Sequence, residues 1–240
     1  MSELVEIRSG VELPSVRTEF NLQTEDGLNL VGELAMPISK SPDATLITLH
    51  PLPTHGGFMD SHVFKKAANR LPTLANLAVL RFNTRGTESP RGKSEGEFGD
   101  GISEVYDVRA AVHYAQSLGL KNLWLVGWSF GTELALKYGL EHDVEGIILL
   151  SPPLRRTTNE ELLRWSSAAK KIVAIVPELD DYLRPEEAKM RFAPIPQAEV
   201  LGIDGAKHLW VGEVSTARVL NEIVRITNPK HYPLPTVWQQ

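Results

Sequence analysis

Three kinds of residue in this chain could act together on a substrate: a serine between two glycines, a pair of aspartates and a late histidine. Ser129 lies in Gly127-Trp128-Ser129-Phe130-Gly131. An apolar run at 123–126 stops there, and a helical pattern with Leu134, Ala135 and Tyr138 on one side begins. A strand, a sharp turn and a helix with a serine at the apex would hold the hydroxyl clear of a sheet, beside the N–H groups of a helix N-terminus. The turn packs the backbone against itself, so a Cβ at either glycine would collide with the neighbouring strand or the helix's first turn. A serine hydroxyl is a poor nucleophile until a base takes its proton, and that base needs an acid to orient it. Asp180-Asp181 follows the apolar run 171–176, and His208 follows the run 198–203. Serine, acid and histidine thus each follow a different strand-like run, and acyl transfer is the chemistry such a set performs.

The elements that must position these residues can be read from periodicity. Residues 16–24 and 28–35 alternate with period two around Glu25-Asp26-Gly27, a hairpin signal. Buried-type runs follow at 44–50, 77–82, 123–126, 146–150, 171–176 and 198–203. Helical stretches at about 61–75, 102–118, 158–169, 185–192 and 214–226 separate or follow them. Repeated β-then-α order predicts an α/β fold, a mostly parallel sheet with helices on both faces and an N-terminal antiparallel hairpin at one edge. Ligands of such a sheet bind outside the carboxyl ends of the strands. No repeat or linker divides the chain, so 1–240 reads as a single domain with its core at about 16–226 and a strap or tail at 227–240. Asp107 and Glu104 are expected to anchor a helix face or loop, and Arg85 to pair with an acid of its own loop. Glu133 is expected on a solvated face.

The elbow and the order Ser, Asp, His resemble the α/β-hydrolase fold superfamily from about Val16 to Ile226. His50-Pro51-Leu52-Pro53 with Gly56-Gly57, and Arg81-Phe82-Asn83-Thr84-Arg85-Gly86, resemble a subgroup of small, largely cap-less serine hydrolases. The resemblance implies Ser129 as nucleophile, His208 as base and, because the family's acid stands shortly before a proline that opens a helix, Asp181 with Pro185. It also implies two oxyanion donors. One is the N–H after the nucleophile, at Phe130; the other lies in the loop after the 44–50 run, where Pro51 has no N–H and Leu52 takes its place. His50, Trp128 and Trp210 are expected at the pocket rim. The short stretch between Leu150 and Lys171 leaves little lid.

The activity so implied is cleavage of a carboxylic ester-type bond through an acyl-enzyme. A peptidase, thioesterase or dienelactone/lactone hydrolase could use the same triad, and a non-enzymatic binding module is the remaining reading. Composition narrows the partners. A formal charge of −5 without a long Lys/Arg run argues against nucleic acid, and no apolar run approaches a membrane span. Seven histidines and no cysteine leave no thiolate site, and His50, His55 and His62 across a Pro/Gly loop fit no zinc signature. A small-molecule substrate, no cofactor, no metal and a cytoplasmic location are the expectations. Oligomeric state is open, a homodimer included.

Overall fold

The computed structural model describes residues 4–239. In chain order the elements are β1 (Leu4–Glu6), β2 (Val16–Gln23), β3 (Asn29–Met36), β4 (Ala44–Leu49), α1 (His62–Ala75), β5 (Leu77–Phe82), β6 (Glu88–Ser89) and β7 (Gly92–Lys93). Then come α2 (Val105–Ser117), β8 (Leu123–Trp128), α3 (Phe130–Tyr138), β9 (Gly146–Leu150), α4 (Asn159–Leu163), β10 (Lys171–Pro177), α5 (Pro185–Phe192), β11 (Ala198–Ile203), α6 (Glu213–Thr227) and β12 (Val237–Gln239).

Eight strands form one sheet in the order β11-β10-β9-β8-β4-β5-β3-β2. Six of them are parallel, and the β2–β3 hairpin adds an antiparallel edge through β5. The chain winds outward from β4 to β5, then crosses back to β8 and winds the other way. β4 and β8 therefore flank the point where strand order reverses, where a crevice opens at the carboxyl ends of the strands.

The inner strands are apolar on both faces because helices cover both. Along β8, Leu123 and Leu125 join the core under α2 and α3, while Trp124, Val126 and Trp128 join the core under α1 and α6. β9 and β10 divide in the same way: Ile147, Leu149, Ile172 and Ala174 face one side, Ile148, Leu150, Val173 and Ile175 the other. Period-two alternation thus decides which helix layer each side chain meets.

Loop anchors hold the ends. Arg85 forks onto Asp107 of α2 (2.8 Å) and Asp26 of the hairpin turn (2.9 Å), so its partners lie outside its own loop. Glu104 accepts from the backbone N–H groups of Gly99 and Gly101 and fastens the long loop before α2. The tail runs back along α6, where Leu234 N–H donates to Asn221 Oδ1, and β12 pairs antiparallel with β1. Among the described residues no helix is long and apolar enough to cross a membrane.

Candidate active site

Ser129 sits between β8 and α3 with φ 52° and ψ −114°, a conformation that costs a non-glycine residue about 1–3 kcal/mol. The surroundings hold it there. Ser129 N–H donates to Leu150 O of β9, and its carbonyl accepts from the N–H and hydroxyl of Thr132. The flanking glycines are sterically required. A Cβ on Gly131 would lie 1.9 Å from Leu49 O, and one on Gly127 2.4 Å from Gly131 O.

His208 follows β11. Its Nε2 is 2.9 Å from Ser129 Oγ, and its Nδ1 is 2.9 Å from Asp180 Oδ2. The His208 backbone is pinned as well, since its carbonyl accepts from the Trp128 indole (3.2 Å) and the Ser151 hydroxyl (3.1 Å). His62 Nε2 lies 2.7 Å from Leu209 O, tying the same loop to the start of α1.

The acid is a correction to the expectation from sequence. Asp180, 3% exposed, holds the histidine, and Asp181 is exposed to solvent. A tight turn after β10, with Asp180 N–H on Pro177 O and Leu179 N–H on Ala206 O, aims Asp180 inward. Its second oxygen accepts from Tyr182 N–H at 2.8 Å and Leu183 N–H at 3.3 Å, so each carboxylate oxygen has its own partners. Glu178 adds a brace by accepting from Gly205 N–H in the turn before His208.

The three expected rim residues also move inward. Trp128 is the last residue of β8, on the parity that faces α1, where it packs edge-on against Phe64 and His62. Trp210 is fully buried in that same layer. His50 is 1% exposed; its Nδ1 lies 2.7 Å from Pro51 O, and its Nε2 accepts from Thr84 N–H at 3.0 Å. With Nε2 an acceptor, Nδ1 is the donor, so the ring is neutral. Burial agrees, lowering its pKa to about 4.

A cleft of ≈ 320 Å³ opens over Ser129 and His208. Leu52 and Phe130 line it on one side, Tyr182 and Leu209 on another, and Pro153, Arg155 and Arg156 come from the loop after β9. Phe130 opens α3, so its N–H has no acceptor within the helix. Tyr182 packs edge-on to the His208 ring at 4.5 Å. The sequence reading missed Tyr182 and the two arginines, although Arg155 and Arg156 follow the end of β9 by only a few residues, where such a sheet places ligand contacts.

The family whose pattern matches this sequence is the alpha/beta hydrolase fold, over residues 53–232. The chain belongs to that family. An alpha-beta serine hydrolase homologue from Coxiella burnetii is similar with TM-score 0.74 and 26% identity, covering 87% of this chain and 96% of the other. A lid-less serine hydrolase of the fold from Xanthomonas campestris superposes with TM-score 0.73 at 24% identity, over 89% of this chain and 96% of that one. Among sequences, an uncharacterised Rickettsia prowazekii protein is 31% identical over 118 residues, 48% of either chain. This chain thus matches about half the length of that curated relative. Among the described residues, only α4 and a short 3₁₀ turn, Arg164–Ser167, stand between β9 and β10.

Proposed function

We propose that this alpha/beta hydrolase is a serine esterase that cleaves a carboxylic ester-type bond through an acyl-enzyme, with Ser129, His208 and Asp180 as its triad. The observation that carries the reading is the unbroken chain of hydrogen bonds from Ser129 Oγ through the His208 ring to Asp180, at the floor of an open cleft.

In this reading Ser129 attacks the ester carbonyl while His208 Nε2 takes the hydroxyl proton. Asp180 fixes the tautomer with Nδ1–H donating and stabilises the imidazolium as it forms. The developing oxyanion is received by the N–H groups of Phe130 and Leu52, the first reinforced by the α3 N-terminus. His208 then protonates the leaving alcohol, and a water activated by the same ring hydrolyses the acyl-enzyme. His50 does not touch substrate. It bonds Thr84 on one side and the Pro51 carbonyl on the other, which sets the loop that presents Leu52.

The test is labelling with a fluorophosphonate beside hydrolysis of p-nitrophenyl esters from acetate to decanoate. One adduct per chain at Ser129 and turnover abolished in Ser129→Ala are expected. A folded protein that neither labels nor turns over any ester contradicts the reading.

A further inference from the structure

The loop after β9, residues 151–157, is built to hold a cation over the cleft. Ser151 and Leu154 both have positive φ, 50° and 49°, unusual for side chains of their kind. The loop is fastened from below by Glu133 of α3, which is wholly buried rather than on a solvated face. Glu133 accepts from Arg155 N–H at 2.7 Å and from the Thr157 hydroxyl. A buried carboxylate bonded to Arg155 N–H and to the Thr157 hydroxyl, with left-handed residues at Ser151 and Leu154 just before them, fixes where Arg155 and Arg156 stand.

The two arginines differ in what they are free to bind. Arg156 is paired with Asp100 at 2.7 Å and lies 5.5 Å over the Phe130 ring. The Arg155 guanidinium lies 4.5 Å over Tyr182, the ring that in turn packs against His208. Among the described residues no carboxylate or carbonyl accepts from the Arg155 side chain, and no acidic residue lines the cleft. In a chain of net charge −5 this is a local reversal of sign beside the triad. Stacking constrains a guanidinium while leaving N–H donors for a planar anion.

We propose that Arg155 is a specificity residue that selects esters carrying a carboxylate, the guanidinium receiving that carboxylate while Ser129 attacks the ester carbonyl. The inference rests on the serine esterase reading for turnover, and on the Arg155 geometry alone for binding.

The experiment compares p-nitrophenyl hydrogen adipate with neutral p-nitrophenyl hexanoate in the wild type, Arg155→Gln and Arg155→Lys, with both esters also titrated against the Ser129→Ala protein. A charge-assisted contact predicts that Arg155→Gln loses roughly 10–100-fold in kcat/KM for the adipate ester, mostly in KM, and under about threefold for the hexanoate. Arg155→Lys should recover part of the loss. Preference for the anion should weaken as salt rises, since Arg155 is exposed. Turnover of both esters with no anionic preference, or an equal loss on both in Arg155→Gln, overturns the inference and leaves the esterase reading standing. Tighter binding of the adipate ester to Ser129→Ala that disappears with Arg155→Gln, in a protein whose wild type turns over neither ester, upholds the inference and defeats the esterase reading. No preference in binding or turnover overturns it in either case.

Discussion

His50 and His208 each stand just after a parallel strand, β4 and β11, at the same end of the sheet. The loop around His208 gives its ring a carboxylate on one nitrogen and a hydroxyl on the other, with one side open to the cleft. The loop around His50 gives its ring a carbonyl on one nitrogen and a backbone N–H on the other, and closes over it. In the proposed reading the same imidazole is a proton carrier in one place and a neutral strut in the other. What separates them is the partner supplied by the neighbouring strand: β10 delivers Asp180 to His208, whereas β5 delivers Thr84 to His50. Water access then follows the role, since a ring that must change charge needs a polar partner for both states and a strut needs only one.

Substitution should separate the two regions sharply. His208→Gln is expected to remove roughly 10⁴-fold or more of ester turnover, because a triad works as a unit, while shifting unfolding free energy by under about 1 kcal/mol. His50→Gln should do the reverse. The buried hydrogen bond to Pro51 O is lost for about 2 kcal/mol of stability by denaturant titration, and turnover falls only as far as the Leu52 loop shifts. If His50→Gln were as inactive as His208→Gln at unchanged stability, the division of roles would be wrong.

Acid sharpens the contrast further. Burial holds folded His50 at a pKa of about 4 against an ordinary 6.5. Above that ordinary value both folded and unfolded states are neutral and the group contributes nothing to pH dependence. As pH falls from about 6.5 to about 4 the unfolded chain takes a proton that the folded one refuses, so stability is lost through that window, by up to about 3 kcal/mol, and levels off below it. His142, also lowered to about 4 by burial, is common to both proteins and cancels in the difference. The stability gap between wild type and His50→Gln should therefore close on going from pH 7.5 to pH 4. A gap that stays constant would mean that His50 is not held neutral.

Much of this architecture is legible in the sequence because the inner strands are buried on both faces. Runs such as 146–150 and 172–176 have to be apolar throughout, and the glycines around Ser129 are dictated by backbone oxygens that an added Cβ would meet at 1.9 and 2.4 Å. The misreadings cluster where one residue of register decides a side. Ending β8 at Val126 leaves Trp128 in a turn near the rim; extending the strand by two residues puts it on the parity of Trp124 and Val126, under α1. Asp180 and Asp181 are adjacent acids of identical type, and the turn at Pro177 that aims one inward depends on contacts with Ala206 on another strand's loop. Glu133 looks like a solvated helix residue because its partners, Arg155 N–H and Thr157, come from a loop 22 and 24 residues away. The β1–β12 pairing joins the two ends of the chain, beyond the reach of local periodicity.

The most direct test of the account is the pair Asp180→Asn and Asp181→Asn, assayed for kcat/KM on one p-nitrophenyl ester with Ser129→Ala as the zero. Asp180→Asn should fall by roughly 10²–10⁴-fold, since an amide at that place no longer stabilises the imidazolium and favours the wrong tautomer, while Asp181→Asn should stay within about threefold of wild type. Loss of turnover in Asp181→Asn with Asp180→Asn unaffected would contradict the triad described here.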